Sequence, residues 1–299
     1  TGYKELPVRY AEFGTVYRYE QSGELHGLTR VRGFTQDDAH IFCTQNQLNT
    51  EFKRVIDLVL YVFQSLGFEK FSTQVSLRDL NEKQKYIGSD EVWDAAEKAI
   101  INATKEKNLE YSIVHGEAAF YGPKLDFMVR DAIGREWQLG TIQVDYSLPE
   151  RFDLNYTDEN NKSVRPVMIH RAPFGSLERF VAILIEHTGG NFPLWLTINQ
   201  ILIIPVGESH KKHSEKVLKL LENNEIRALI DDRNETVSKK IRTGEINKIP
   251  FIIIIGDKEI QSQNYPLRAH GGKDLGKKSI HELLEFLENK VKNSVKSFS

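Results

Sequence analysis

Arg30, Arg32, Phe34, Gln36, Asp38 and His40 occupy alternate positions in the run RVRGFTQDDAH. On a β-strand, that alternation puts all six side chains on one face. The face then carries two guanidiniums, a ring, an amide, a carboxylate and an imidazole. A hydrophobic core cannot absorb so many polar groups without partners. The set suits a wet cavity that grips an anion at its arginine end and a different group at its Asp38–His40 end. Upstream, Arg18 and Glu20 share a face in VYRYE, and the polar, glycine-bearing QSGELHGL leads from them to Arg30. Two arginines converging from paired strands can hold a polyphosphate bidentately. A ring such as Phe34 can stack on a base, and Glu20 can accept from an exocyclic amine. Surface Arg–Glu ion pairs are the plainer reading of the same hairpin, because such pairs are common and weak.

Further candidates lie downstream. His170 stands in VMIHRAP, far from His40. Two distant histidines do not make a metal site, since catalytic zinc takes three protein ligands and an open position. The sole cysteine, Cys43, has the wrong parity to join His40. In GSLERF a glycine turn leads into a helix whose start carries Arg179, and a helix start beside a strand end attracts anions. Tyr121 and Lys124 in FYGPKLDF, with Gln138, Thr141 and Gln143 in WQLGTIQVDY, can line a small polar pocket or a half-exposed sheet. Asn234, Lys239, Lys240, Arg242, Glu259 and Arg268 fall near strand ends and a helix start. Ligands of open α/β sheets bind at such ends, and basic and amide groups there suit single-stranded RNA.

The elements that must position these residues follow from periodicity. YAEFGTVYRYE and TRVRGFTQDDAHIFCT alternate as strands around a long loop, and a helix is expected at 45–66, with Leu48, Phe52, Val55, Leu58, Val59 and Phe63 on its apolar face. FSTQVSLRD, YSIVHGEAAFYG, KLDFMVRDAIG and REWQLGTIQVDYSLP read as strands, and DEVWDAAEKAIINATKEKN as an amphipathic helix. VMIHRAPFGSLERFVAILIEHTGG reads as strand, tight turn and helix. The pattern predicts an α+β domain built on an antiparallel sheet. After NFPLWLTINQ the composition changes: ILIIPVG, RALIDD and FIIIIGD are apolar runs that alternate with helical segments. Strands buried on both faces read this way, so a βαβ-type domain with a mostly parallel sheet is expected.

Composition sets outer limits. The chain has 299 residues, 40% of them hydrophobic and 27% charged, with a formal net charge of −2. A nucleic-acid partner would need a local basic patch rather than a basic protein. No run reaches the ~18 apolar residues of a membrane span, so no membrane partner is expected. A single cysteine excludes an internal disulfide framework and fits a reducing, cytoplasmic setting. The opening run TGYKELPVRYAEFG has no initiator Met, polar tail or helix cap, and reads as cut from something larger.

Taken together, these residues resemble the class II aminoacyl-tRNA synthetases, and among them the threonine-specific family. YRYEQSGELHGLTRVRGF matches the class motif 2 pattern of Arg-x-Glu, loop and Phe, and GSLERF matches motif 3. RVRGFTQDDAHIFCT, EAAFYGPKLDF, WQLGTIQVDYSLP and VMIHRAPFGSLERF match the threonine family as nearly continuous runs, and DDRNETVSKKIR with DKEIQS resembles its anticodon-binding domain. The resemblance implies an α+β, antiparallel-sheet catalytic core over 1–197, incomplete at its N-terminus. An α/β anticodon-binding domain would follow over 198–299.

The resemblance also implies threonine activation with ATP and Mg²⁺, transfer to tRNA(Thr), and a homodimeric parent enzyme. It makes Arg18, Arg30 and Arg179 catalytic, with Arg18 on the α-phosphate and Arg30 on the γ-phosphate. Phe34 and Arg179 would sandwich adenine, Glu20 would read it, and Gln138 and Thr141 would complete the ATP contacts. Gln36, Asp38, Tyr121, Lys124 and Gln143 would form the amino-acid pocket, with His40 and His170 as two ligands to Zn²⁺. Asn234, Arg242, Glu259 and Arg268 would read the anticodon. The family's third zinc ligand is a cysteine upstream of motif 2. That cysteine, motif 1 and the editing domain are not found in these residues, so weak zinc retention and little activity are expected of them alone. A sister synthetase for proline or serine, and a synthetase-derived RNA-binding regulator, are the competing readings.

Overall fold

The computed structural model describes residues 1–294. Two units divide it, the first over Thr1–His187 and the second from Thr188 onward. The first contains β1 (Val8–Tyr17), β2 (Gly33–Cys43), α1 (Leu48–Ser65), β3 (Ser72–Leu77), α2 (Asp90–Glu106), β4 (Tyr111–His115), β5 (Lys124–Arg130) and β6 (Glu136–Asp145). It continues through α3 (Ser147–Arg151), the short pair β7 (Tyr156–Thr157) and β8 (Ser163–Val164), β9 (Val167–Ala172) and α4 (Leu177–Thr188). Seven strands form one sheet in the order β1-β2-β9-β6-β5-β3-β4. Its pairings are antiparallel except β3 with β4, which run parallel across the α2 crossover.

Alternation in β2 sorts the sheet into two faces. Ala39, Ile41 and Cys43 are buried, whereas Gln36, Asp38 and His40, at the alternate positions, are only partly covered. In α1, Phe52, Val55, Ile56, Val59 and Phe63 point into the core. Phe63 is fully buried, with the rings of Phe68, Phe71 and Phe127 at 5.7, 5.5 and 5.9 Å. Phe127 lies on β5, so the helix packs directly beneath a strand whose neighbouring residues face the polar side.

The second unit holds β10 (Ile201–Pro205), α5 (Lys211–Glu222), β11 (Ala228–Ile230), α6 (Val237–Ile246), β12 (Phe251–Ile255), α7 (Asp257–Ser262), β13 (Asn264–Ala269), β14 (Asp274–Ser279) and α8 (Ile280–Ser294). Its sheet order is β11-β10-β12-β13-β14. The apolar runs ILIIP, ALI and FIIII pair in parallel. The β13–β14 hairpin, whose polar NYPLRA and DLGKKS carry no such run, adds two antiparallel pairings.

Candidate active site

Phe34, Gln36, Asp38 and His40 all lie within β2, and Gln36, Asp38 and His40 line one cavity. Arg30 and Arg32 do not extend that face, because β2 begins only at Gly33. The last rung of the hairpin is Arg18 N donating to Arg32 O at 2.8 Å, after which the loop folds into a turn closed by Thr29 N to His26 O. Arg30 comes back to line a cavity beside Arg18 and Phe34. Arg32 instead donates through Nε to the backbone carbonyl of Glu20 at 2.9 Å.

Two adjoining cavities result. The smaller, about 100 Å³, is lined by Arg18, Glu20, Arg30, Phe34 and Arg179 among others. The larger, about 470 Å³, is lined by Asp38, His40, Tyr121, Lys124, Gln143 and His170. Arg18, Gln36, Gln138 and Thr141 border both. Every catalytic, ATP-contacting, pocket and metal candidate named from the sequence therefore lines one of these two connected spaces. The guanidinium of Arg18 lies over the Phe34 ring at 5.2 Å. Arg30 pairs with Glu20 at 3.0 Å and with Glu24 at 3.2 Å, and this hydrogen bond from Arg30 holds the Glu20 carboxyl below its usual range.

Arg179 is the most constrained of the three arginines. Its Nε donates to Thr29 O at 2.7 Å and its Nη1 to Gln138 O at 3.2 Å, and its guanidinium lies over Trp137 at 5.5 Å. Burial, then the positive charges of Arg18 and Arg30, lower its pKa. The turn before it is clasped to β2 from both sides. Asp37 accepts from Phe174 N and Gly175 N at 2.9 and 3.0 Å, and both Glu178 oxygens accept from Thr35 N at 3.0 Å. Gly175 has φ +69°, and a Cβ there would lie 2.5 Å from the Leu139 carbonyl oxygen, so only glycine fits.

Asp37 is buried, and desolvation pushes its carboxyl up to about 6 against the opposing pull of those N–H groups and Arg171. A carboxyl raised above its unfolded value of 3.8 favours folding below about pH 4, and that contribution fades as pH rises through 6. Asp37→Asn removes this dependence. The stability difference between Asp37→Asn and the wild type should therefore shift in favour of the variant by up to ~3 kcal/mol between pH 4 and pH 7. Denaturant titrations at both pH values measure the shift, and a constant difference would refute it.

In the larger cavity, His40 and His170 are register partners across β2 and β9, with ring centroids 4.8 Å apart. Burial lowers the His40 pKa, with Asp38 opposing, and the two approach to 3.9 Å. His170 Nε2 lies 2.9 Å from Asp145, a fully buried carboxylate that also accepts from Ser147 N and Leu148 N. Tyr121 donates its hydroxyl to Gln143 Oε1. Burial, then the charges of Asp145 and Asp38, push that hydroxyl up to about 12, so it acts as a neutral donor. Two imidazoles supply two of the three protein ligands that catalytic zinc takes. Among the described residues no group of three His, Cys, Asp or Glu could hold a metal, and Cys43 is buried in the core. The described residues therefore do not complete a zinc site by themselves.

Sequence reasoning missed four residues that support the site: Asp37, Asp126, Trp137 and Asp145. Asp126 and Asp145 carried a signal, since each stands two residues beyond a chosen one, Lys124 and Gln143, and shares its parity. Trp137 and Asp37 carried none in their own strands.

The four residues assigned to anticodon reading spread across the second unit. Asn234 follows β11, and Glu259 lies in α7 just after β12, both at the carboxyl ends of the parallel strands. Arg242 is on α6 between them and the far end, where Arg268 pairs with Ile252. Glu259 accepts from Gly256 N and lies 3.7 Å from Lys277. The Arg268 Nε is buried with no hydrogen-bond partner among the described residues.

Comparison with known proteins accords with this geometry. Residues 2–188 match the model of the tRNA synthetase class II core domain (G, H, P, S and T), and residues 200–290 match an anticodon binding domain. A threonyl-tRNA synthetase structure from Cryptosporidium parvum, described as its RNA binding domain, superposes with a TM-score of 0.87 at 34% identity. That match covers 97% of this chain and 72% of the other. The chain belongs to the threonyl-tRNA synthetase family. The threonine–tRNA ligase of Flavobacterium johnsoniae is 63% identical over 299 residues, covering 99% of this chain and 46% of that protein. The chain thus spans about half the length of the curated relatives it matches. A prolyl-tRNA synthetase structure from Cryptosporidium parvum, at 16% identity and a TM-score of 0.70 over 98% of this chain and 58% of that one, shares the fold alone. Among the described residues no helix is long and apolar enough to cross a membrane.

Proposed function

We propose that this chain carries the adenylate-forming site and the anticodon-binding half of a cytoplasmic, homodimeric threonine–tRNA ligase. Residues 1–197 act as the catalytic core and 198–299 bind tRNA(Thr). The observation that carries the reading is the convergence of Arg18, Arg30 and Arg179 on one cavity that opens beside the His40–His170 pair. The threonine carboxylate attacks the α-phosphorus of ATP and pyrophosphate leaves; a tRNA hydroxyl then attacks the carbonyl of the adenylate, and AMP leaves. No protein nucleophile is needed. Catalysis comes from holding the two substrates in line and neutralising charge on the phosphates.

In this scheme Arg18 grips the α-phosphate and Arg30 the γ-phosphate, with Mg²⁺ bound alongside ATP. Phe34 and Arg179 hold adenine, and Glu20 accepts from its exocyclic amine. Gln138 and Thr141 border the nucleotide, and Gln36, Tyr121, Lys124 and Gln143 shape the amino-acid pocket, where Asp38 accepts from the amino group. Zinc at His40 and His170, completed by a donor outside the described residues, would select threonine by binding its amino and hydroxyl groups. An apolar pocket separates threonine from isosteric valine poorly, so this selection needs the metal. Asn234, Arg242, Glu259 and Arg268 contact the anticodon.

The test is amino-acid-dependent ATP–pyrophosphate exchange on a chain extended N-terminally toward the length of its relatives. Exchange with threonine, some with serine and almost none with valine is the expected result. No exchange with any amino acid, while RNA still binds, would move the assignment to a non-catalytic RNA-binding protein. A second expectation concerns Glu24, whose carboxylate pairs with Arg30 and competes with phosphate for it. Exposed pairs contribute at most ~1 kcal/mol, so Glu24→Gln should lower the KM for ATP by about two- to fivefold. An unchanged or raised KM would contradict the competition.

A further inference from the structure

Asp126 sits beneath both cavities and lines neither. It is 1% exposed. Its Oδ1 accepts from Gln138 Nε2 at 2.6 Å and from Thr141 Oγ1 at 2.8 Å. Its Oδ2 accepts from Ser76 Oγ at 2.9 Å and lies 3.2 Å from Lys124 Nζ. Three hydrogen bonds and one ion pair thus hold the carboxylate, and charge-assisted contacts of this kind are strong. Three of its four partners border the cavities. They come from β5 and β6, and the fourth anchors the group to β3.

The arrangement depends on a break in the β5–β6 ladder. Asp126 pairs with Thr141 but Met128 pairs with Gln138, a register shift of one residue. Gln138 and Thr141 have opposite parity, so an unbroken strand would send them to opposite faces. The bulge brings both onto the same oxygen of Asp126.

We propose that Asp126 is a positioning residue that sets the nucleotide and amino-acid cavities in register with each other. It acts on substrates only through Gln138, Thr141 and Lys124. The proposal rests on the functional reading above. An asparagine at 126 keeps one oxygen, turns the other into a donor, and leaves Lys124 without its counter-charge. A simple staple between strands would cost stability alone, whereas a shared positioning group moves both substrate constants.

The experiment compares wild type, Asp126→Asn and Ser76→Ala in threonine-dependent exchange on the extended chain, with KM for ATP and for threonine determined separately and thermal melts run alongside. Ser76 is fully buried and borders neither cavity, so Ser76→Ala loosens the carboxylate without removing a group from the site. Asp126→Asn is expected to raise both KM values about tenfold or more, and Ser76→Ala to raise both by about two- to fivefold. Where Asp126→Asn fails to fold, Ser76→Ala carries the test. Melting shifts with both KM values unchanged, or a change in one KM only, would overturn the proposal. A wild type without threonine-dependent exchange is seen before any variant is compared, and it would sink the functional reading and this proposal together.

Discussion

Replacing Arg179 by alanine is expected to lower the kcat of threonine-dependent exchange by about 10²- to 10³-fold, or ~3–4 kcal/mol of transition-state stabilisation. The size follows from how the guanidinium is held. Two backbone carbonyls, Thr29 O and Gln138 O, and the face of Trp137 fix it before any substrate arrives. A guanidinium already fixed where adenine stacks costs no reorientation when ATP binds, so it holds the α-phosphorus in line for attack. Although burial and the neighbouring arginines lower its pKa, a guanidinium stays protonated in proteins. Arg179→Lys keeps the charge but cannot reproduce the fork to two carbonyls, so it should recover only part of the loss. Steady-state exchange kinetics on the folded, extended chain decide the matter, and a loss below tenfold would remove Arg179 from the catalytic set.

Phe63→Ala should destabilise the first unit by ~3–5 kcal/mol, the range for truncating a fully buried aromatic. Phe63 is 0% exposed and closes a cluster with Phe68, Phe71 and Phe127, so little can collapse into the space it leaves. The consequence reaches the site through a single strand. Phe127 points down from β5 into that cluster, and the adjacent Asp126 points up to Gln138 and Thr141. Denaturant unfolding measures the effect, and a loss under ~1.5 kcal/mol would mean that the cluster repacks. At temperatures where the variant is still folded, a raised KM for ATP would show the loosened strand acting on the site.

The sequence alone specified what depends on local periodicity. Alternation in GFTQDDAH sorted β2 into a core face and a site face, and the three-to-four spacing over 48–63 marked the buried side of α1. The long apolar runs of β10 and β12 announced strands covered on both sides. Each of these signals arises because burial on one face is enforced residue by residue. It also separated Cys43 from His40, since parity along one strand needs no partner.

Tertiary structure decided what depends on pairing between distant segments. Arg30 and Arg32 keep the alternation of β2 on paper, yet the ladder ends at Gly33 and the loop turns them apart, one toward the cavity and one onto the Glu20 carbonyl. Whether His40 and His170 meet is a matter of β2–β9 register, which neither strand encodes alone. The bulge that gathers Gln138 and Thr141 on Asp126 and the clasp of Asp37 and Glu178 around the turn before Arg179 are likewise contacts between segments far apart in sequence. The β13–β14 hairpin escaped detection because its strands are half exposed and polar. Side-chain type and spacing therefore announced which groups line the two cavities. Strand register and the hydrogen bonds of buried carboxylates determined where those groups point.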